Sequence, residues 1–187
     1  VDLALFKLPT DHPITVFVGI AFQKDGYGGP YATVGLGANL DPLAASRAAA
    51  LEVGQVRPAF RERCRTNADA VARIAELRDN PAAVKTLEDH ALLYADPAMA
   101  FAFEFLEGER VEWSKRAGVS TAAALSAVLD HFRSIGQDVL YVNLTPRDLE
   151  PLCLFTVRAL LPGFQPIWFG HGERRLGGRR LFELPFR

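Results

Sequence analysis

At 187 residues, 49% of them apolar, the chain is long enough to bury a sizeable core as one domain. Its net charge of −1 gives no global pull toward nucleic acid or a membrane surface, and no apolar run approaches the ~20 residues that span a bilayer. Cys64 and Cys153 are far apart and outside any CxxC spacing, which excludes a disulfide framework and argues against zinc. No signal peptide is present, so a cytoplasmic protein is the expectation.

Residues 13–23, PITVFVGIAFQ, are β-branched and apolar and predict a largely buried strand. KDGYGGP follows as a turn, with Asp25-Gly26 and Gly28-Gly29-Pro30 as breakers. YATVGLG reads as the partner strand of a hairpin that delivers Gly35 and Gly37. The stretch from Gly35 to Arg57, GLGANLDPLAASRAAALEVGQVR, is the most informative part of the chain. Asp41 is placed to cap a helix, and Pro42 suits its first position, where the missing N–H has no partner anyway. A helix is predicted over residues 42–57. Pro58 leaves the carbonyl of Gly54 without its donor and should kink or stop it.

That helix is mostly Ala, so a ligand or another backbone can come close. Glu52 and Gln55, three residues apart, lie on one face. With the guanidinium groups of Arg47 and Arg57, they make a nucleotide and magnesium site by residue type. Magnesium takes few, hard oxygen ligands, and Arg forks suit phosphate oxygens. On spacing alone, E-x-x-Q-x-R is also the pattern of a solvent-facing helix. Gly35 and Gly37 either offer N–H groups to phosphate or form a hairpin exit that needs positive φ. Asn39 faces a nucleotide or caps the approach to the helix. Arg47 contacts phosphate or pairs with Glu52 or Asp41.

A further helix is expected over residues 67–77, ended by Asp79-Asn80-Pro81. Residues 82–108 fit helix and strand alike, with Met99, Phe101, Phe103, Phe105 and Leu106 crowded together. The aromatic run is either core or a docking surface. Glu88, Asp89, His90 and Tyr94 ahead of it offer acid–base chemistry by type, or a structural histidine among carboxylates. Residues 120–134 predict a helix capped by Ser120 or Thr121 and ended by Gly136. DVLYVNLT and CLFTVRALL read as strands around a short helical turn. The fold class is α+β, with a mixed β-sheet and packed helices, in one domain-like unit. Arg158 in the last strand needs a phosphate or carboxylate partner if buried. Arg174, Arg175, Arg179, Arg180 and Arg187 form a basic C-terminal edge, either solvated or a docking surface.

Three stretches carry a resemblance. The first is Gly37-Ala38, Asp41-Pro42 and Arg47-Ala48, followed by Glu52, Gln55 and Arg57. The second is LEDHALLYADPAMAFAFEFL at 87–106, and the third VRALLPGFQPIWFGHGERRLGG at 157–178. In this order and spacing they resemble the YcaO family, in the branch that converts ribosomal peptides to azolines. The resemblance implies ATP-dependent cyclodehydration. A Cys, Ser or Thr side chain adds to the preceding amide carbonyl, whose oxygen leaves as phosphate. ATP and Mg²⁺ are the implied cofactors. Glu52 and Gln55 would be metal ligands, and Arg47, Arg57, Asn39 and Arg158 nucleotide contacts. Many relatives have a second Glu where Gln55 stands, so the negative charge for a second magnesium is reduced here.

Family members also carry an earlier segment with its own Glu-bearing helix. The chain therefore resembles the C-terminal portion of a longer domain, and the expectation is that alone it holds half a site. A proline-rich family tail corresponds here only to Pro185. The implied partners are a ribosomally made precursor peptide and a leader-binding protein or domain, with a homodimer also open and no nucleic acid or membrane. The alternatives are a non-catalytic docking or scaffold domain, and a relative making thioamides or amidines.

Overall fold

The computed structural model describes residues 1–23, 29–106, 120–178 and 182. Residues 24–28 of the expected turn, Gly108, and Arg179, Arg180, Pro185 and Arg187 lie outside these. The chain divides into two compact units, Val1–Gly118 with Trp168–Arg174, and Val119–Ile167 with Arg175–Arg187.

The first unit opens with three strands, β1 (Asp2–Leu8), β2 (Thr15–Phe22) and β3 (Ala32–Asn39). They form an antiparallel sheet in the order β1-β2-β3. α1 (Pro42–Thr66) packs across one sheet face. α2 (Ala68–Asp79), a 3-10 turn at Pro81–Ala83, α3 (Leu87–Leu93) and a 3-10 stretch at Pro97–Phe103 complete it. The fold is α+β as expected. Its sheets are antiparallel where a mixed one was expected, because successive strands are joined directly rather than through crossover helices.

Close packing of α1 on the sheet explains the glycines. Gly19 and Gly35 are cross-strand partners, as are Phe17 and Gly37. A Cβ on Gly37 would lie 2.1 Å from the Ala45 carbonyl oxygen, and one on Gly35 would lie 2.7 Å from the Val53 nitrogen. Phe17, Ala45 and Ala49 are buried there, with Leu5 against them. These glycines bring helix backbone onto strand backbone. Neither has positive φ, which corrects the hairpin-exit reading, and the backbone that the Ala-rich helix admits is the sheet.

α1 also runs through Pro58 to Thr66, so of the expected kink or stop the stop is corrected. One hydrogen bond is lost there. The later turns are held by Phe60, which packs against the cluster of Ala70, Leu77, Val84, Leu92, Leu93 and Met99, and by an ion pair from Arg63 to Glu88.

The described part of the open stretch 82–108 holds α3 and 3-10 turns and no strand. Thr86 caps α3 in a capping box with Asp89. Met99 is buried, and Phe103 stacks edge-on against Phe22 at 5.3 Å and Tyr94 at 5.2 Å. Phe101 and Phe105 stay exposed at 61% and 78%. The aromatic run is thus divided between core and surface.

In the second unit, Ser120 caps α4 (Thr121–Ser134), and Gly136 closes it at φ 69°. Phe132 packs edge-on against Phe164 at 5.5 Å. β4 (Leu140–Asn143) and β5 (Val157–Leu160) pair antiparallel, with every residue exposed. The strand expected over residues 153–161 is shorter than read, because Cys153 turns left-handed at φ 54° after the 3-10 turn Glu150–Leu152.

Candidate functional site

The approach to α1 is built by side chains. Asp41 is extended, and its Oδ1 accepts the Leu43 N–H at 3.1 Å. Asn39 Oδ1 accepts the Asp41 N–H at 2.9 Å, so Asn39 caps the turn into the helix.

Glu52 lies beside the outer edge of β3. Its Oε2 accepts the N–H of Leu36 at 2.5 Å, and the side chain is otherwise exposed. Gln55, one turn further on, is exposed on the same flank. Arg57 is elsewhere, because five residues turn a helix by about 140°. Its Nη1 donates to Thr33 Oγ1 at 3.1 Å and its Nη2 to Gln23 Oε1 at 2.6 Å. Both acceptors are neutral, so the guanidinium keeps its charge. Partial burial, then the nearby Arg61, lower its pKa from the usual value. It remains cationic at any physiological pH.

Arg47 is exposed, and no ion pair among the described residues joins it to Glu52 or Asp41. Arg158 is exposed on β5, in the second unit, so the question of a buried partner does not arise. Of the six candidates, only Glu52 and Gln55 share a flank. The glycine N–H reading for Gly35 and Gly37 is corrected by their pairing with β2, because they alternate with the outward-facing Leu36.

The acid–base reading of the 88–94 segment is corrected as well. Asp89 is 6% exposed and accepts from Arg73 Nε at 2.9 Å and Nη2 at 3.0 Å. It also accepts the N–H groups of Lys85 at 2.9 Å and Thr86 at 3.1 Å. These bonds, Arg73 first, hold its carboxyl far below the ordinary carboxylate range. Arg73 also donates to the Ala83 carbonyl at 2.8 Å. The pair therefore ties α2, the Pro81–Ala83 turn and α3 together. His90 Nε2 lies 2.8 Å from the Phe169 carbonyl, and the His171 N–H donates to the Val84 carbonyl at 2.8 Å. Both anchor the segment Trp168–Arg174 within the first unit. The Thr86-x-x-Asp89 spacing marks a capping box and is a signal that could have exposed this role.

No group of three or more His, Cys, Asp or Glu among the described residues could hold a metal by itself. Glu52 with Gln55 fits a narrower part. Magnesium keeps several waters and takes one or two protein oxygens plus phosphates. An exposed carboxylate and an amide oxygen a turn apart supply that kind of donor set.

Residues 1–165 match the family profile described as YcaO cyclodehydratase, ATP- and Mg²⁺-binding. The chain belongs to the YcaO family, whose members are ATP-dependent enzymes. No curated protein matches it. Among solved structures it is similar to one titled "Structure of the heterocyclase TruD", at 24% identity and TM-score 0.47, covering 87% of this chain and 20% of that one. The chain thus spans about a fifth of the length of that structure. No helix among the described residues is long and apolar enough to cross a membrane.

Proposed function

We propose that this chain forms the C-terminal portion of a cytoplasmic YcaO cyclodehydratase. The enzyme uses ATP to convert Cys, Ser or Thr of a ribosomally made precursor peptide into azolines. The observation that carries the reading is the placement of Glu52 and Gln55, exposed on one flank of α1, in a chain whose family is ATP- and Mg²⁺-binding. Glu52 and Gln55 would hold magnesium, and Arg57 would meet phosphate with the donors left free by Thr33 and Gln23. Arg47 is an exposed cation on the same helix available to the nucleotide, and Asn39 orders the turn into that helix. When bound, Mg²⁺ supplies charge neutralisation at the phosphate oxygens. The protein groups act by positioning and by stabilising charge on the transferring phosphoryl group.

The test is phosphate release and peptide mass in the full-length protein. Wild type should release phosphate with the loss of one water per azoline, and Glu52→Ala should abolish both while keeping the fold. Sulfur incorporation or ring closure by an amine would instead assign thioamide or amidine chemistry. The exposed Phe101 and Phe105 favour a second reading, in which the chain docks a leader-binding partner, a leader peptide or a second copy of itself.

A further inference from the structure

The outer edge of β3 is unusual in how it is closed. Ala32 donates its N–H outward to the Tyr94 carbonyl at 3.1 Å, and Leu36 donates its N–H to Glu52 at 2.5 Å. In an antiparallel pair, alternate residues point their backbone groups to the same side. The N–H and C=O of Val34, between these two, therefore also face outward, and no acceptor among the described residues takes that N–H. At one end of the edge the acceptor is a backbone carbonyl. At the other, a carboxylate oxygen stands where the carbonyl of a neighbouring strand would stand.

The side chains agree. β3 reads ATVGLGAN, so it carries neither the charged side chains nor the proline that often blunt an edge strand from within. Val34 and Leu36 are 42% and 56% exposed on the face opposite α1. An extended chain added here would meet apolar side chains at every second position.

We propose that the outer edge of β3 binds an extended peptide backbone, with Glu52 occupying the Leu36 N–H until the peptide takes it. The inference rests on the reading of Glu52 as a magnesium ligand. When magnesium takes the Oε2 that now accepts from Leu36, the N–H is released, so nucleotide binding opens the edge to the peptide whose amide is to be activated. Glu52 then couples the two ligands by leaving one bond to make another.

The test uses the full-length protein and a labelled peptide alternating Val and Thr about a central Cys, followed by fluorescence anisotropy. Wild type should bind it about five- to tenfold more tightly with ATP and Mg²⁺ than without, the worth of about one hydrogen bond. Hydrogen exchange at the Leu36 amide should quicken on adding ATP and Mg²⁺ and slow again on adding the peptide. Glu52→Ala should bind the peptide tightly without nucleotide. Val34→Pro, tolerated because its N–H faces outward, should weaken peptide binding and leave nucleotide affinity unchanged. N-methylation of alternate peptide residues leaves the protein untouched and should weaken binding in one frame only.

Equal loss in both frames, or full peptide affinity in folded Val34→Pro, overturns the edge site. Self-association that buries β3 would assign the edge to a second copy and overturn it too. Unaltered nucleotide binding in Glu52→Ala would remove the metal role, and with it the coupling, while the N-methyl frames still decide the edge.

Discussion

Asp89 and Glu52 are both carboxylates on helices, and both accept backbone N–H groups. Asp89 is buried, with two N–H groups and two guanidinium donors converging on it. Glu52 is exposed and accepts a single N–H. The first has its acceptor capacity taken up inside the fold. The second keeps most of its lone pairs toward solvent, which a ligand-binding carboxylate needs. Residue type did not separate these roles, and the surroundings do.

The largest expected effect comes from removing the buried member. Asp89→Asn should destabilise the protein by about 3 kcal/mol, because an amide offers one acceptor oxygen to the four donors that converge there and leaves Arg73 only the exposed Glu76 of its own helix. A urea melt with far-UV circular dichroism measures this. The pH dependence has a definite sign. The folded pKa of Asp89 lies below the unfolded value of about 3.9, so its contribution is complete above that value and is lost as pH falls through the folded pKa. Wild type should therefore lose stability below about pH 4. Asp89→Asn should show a shallower acid limb, and an equally steep one would mean that the pair contributes nothing.

Next is the seam that carries Glu52. Gly37→Ala places a methyl 2.1 Å from the Ala45 carbonyl oxygen and 2.5 Å from the Ala49 nitrogen. A loss of about 2 kcal/mol is expected, read in the same melt, with weaker nucleotide binding as α1 shifts. Glu52→Ala should change stability by no more than about 0.5 kcal/mol while removing ATP turnover. Unfolding by that variant would make Glu52 structural, like Asp89, and erase the contrast. The smallest effect is a gain. Gly54 meets nothing within 4 Å of an added Cβ, so Gly54→Ala should stabilise α1 by up to about 1 kcal/mol in the same melt.

The sequence was most legible where local chemistry decides. Asp41-Pro42, Asn67, Ser120 and Gly136 mark helix ends, and each does so in the structure. The Pro13–Gly37 hairpin followed from β-branched periodicity in the same way. Where distant residues decide, the reading ran out. At Pro58 a stop stays open beside a kink, because nothing local shows Phe60 reaching a cluster formed by α2 and α3. Residue type leaves Asp89 between acid–base chemistry and a structural role because its partner, Arg73, is sixteen residues away. Gly35 and Gly37 were read as nucleotide or turn residues because their true neighbours, Ala45, Ala49 and Val53, belong to the next element. Within the candidate site, the pairing of Glu52 with Gln55 was visible from helix period. The separate flank of Arg57 follows from the same period, and its partners Thr33 and Gln23 do not.

The glycine seam also acts as a vernier. With Gly37 seated against Ala45 and Gly35 against Ala49 and Val53, α1 has no side-chain slack along the strand, and the position of Glu52 opposite Leu36 is set by counting residues through the Asn39–Asp41 corner. Adding or removing one residue in that corner would turn the helix by about 100° against a surface that admits only Gly beneath Ala. Glu52 would then leave the strand edge altogether. The length of a three-residue bend, more than the chemistry of any one side chain, fixes where this carboxylate meets the backbone of β3.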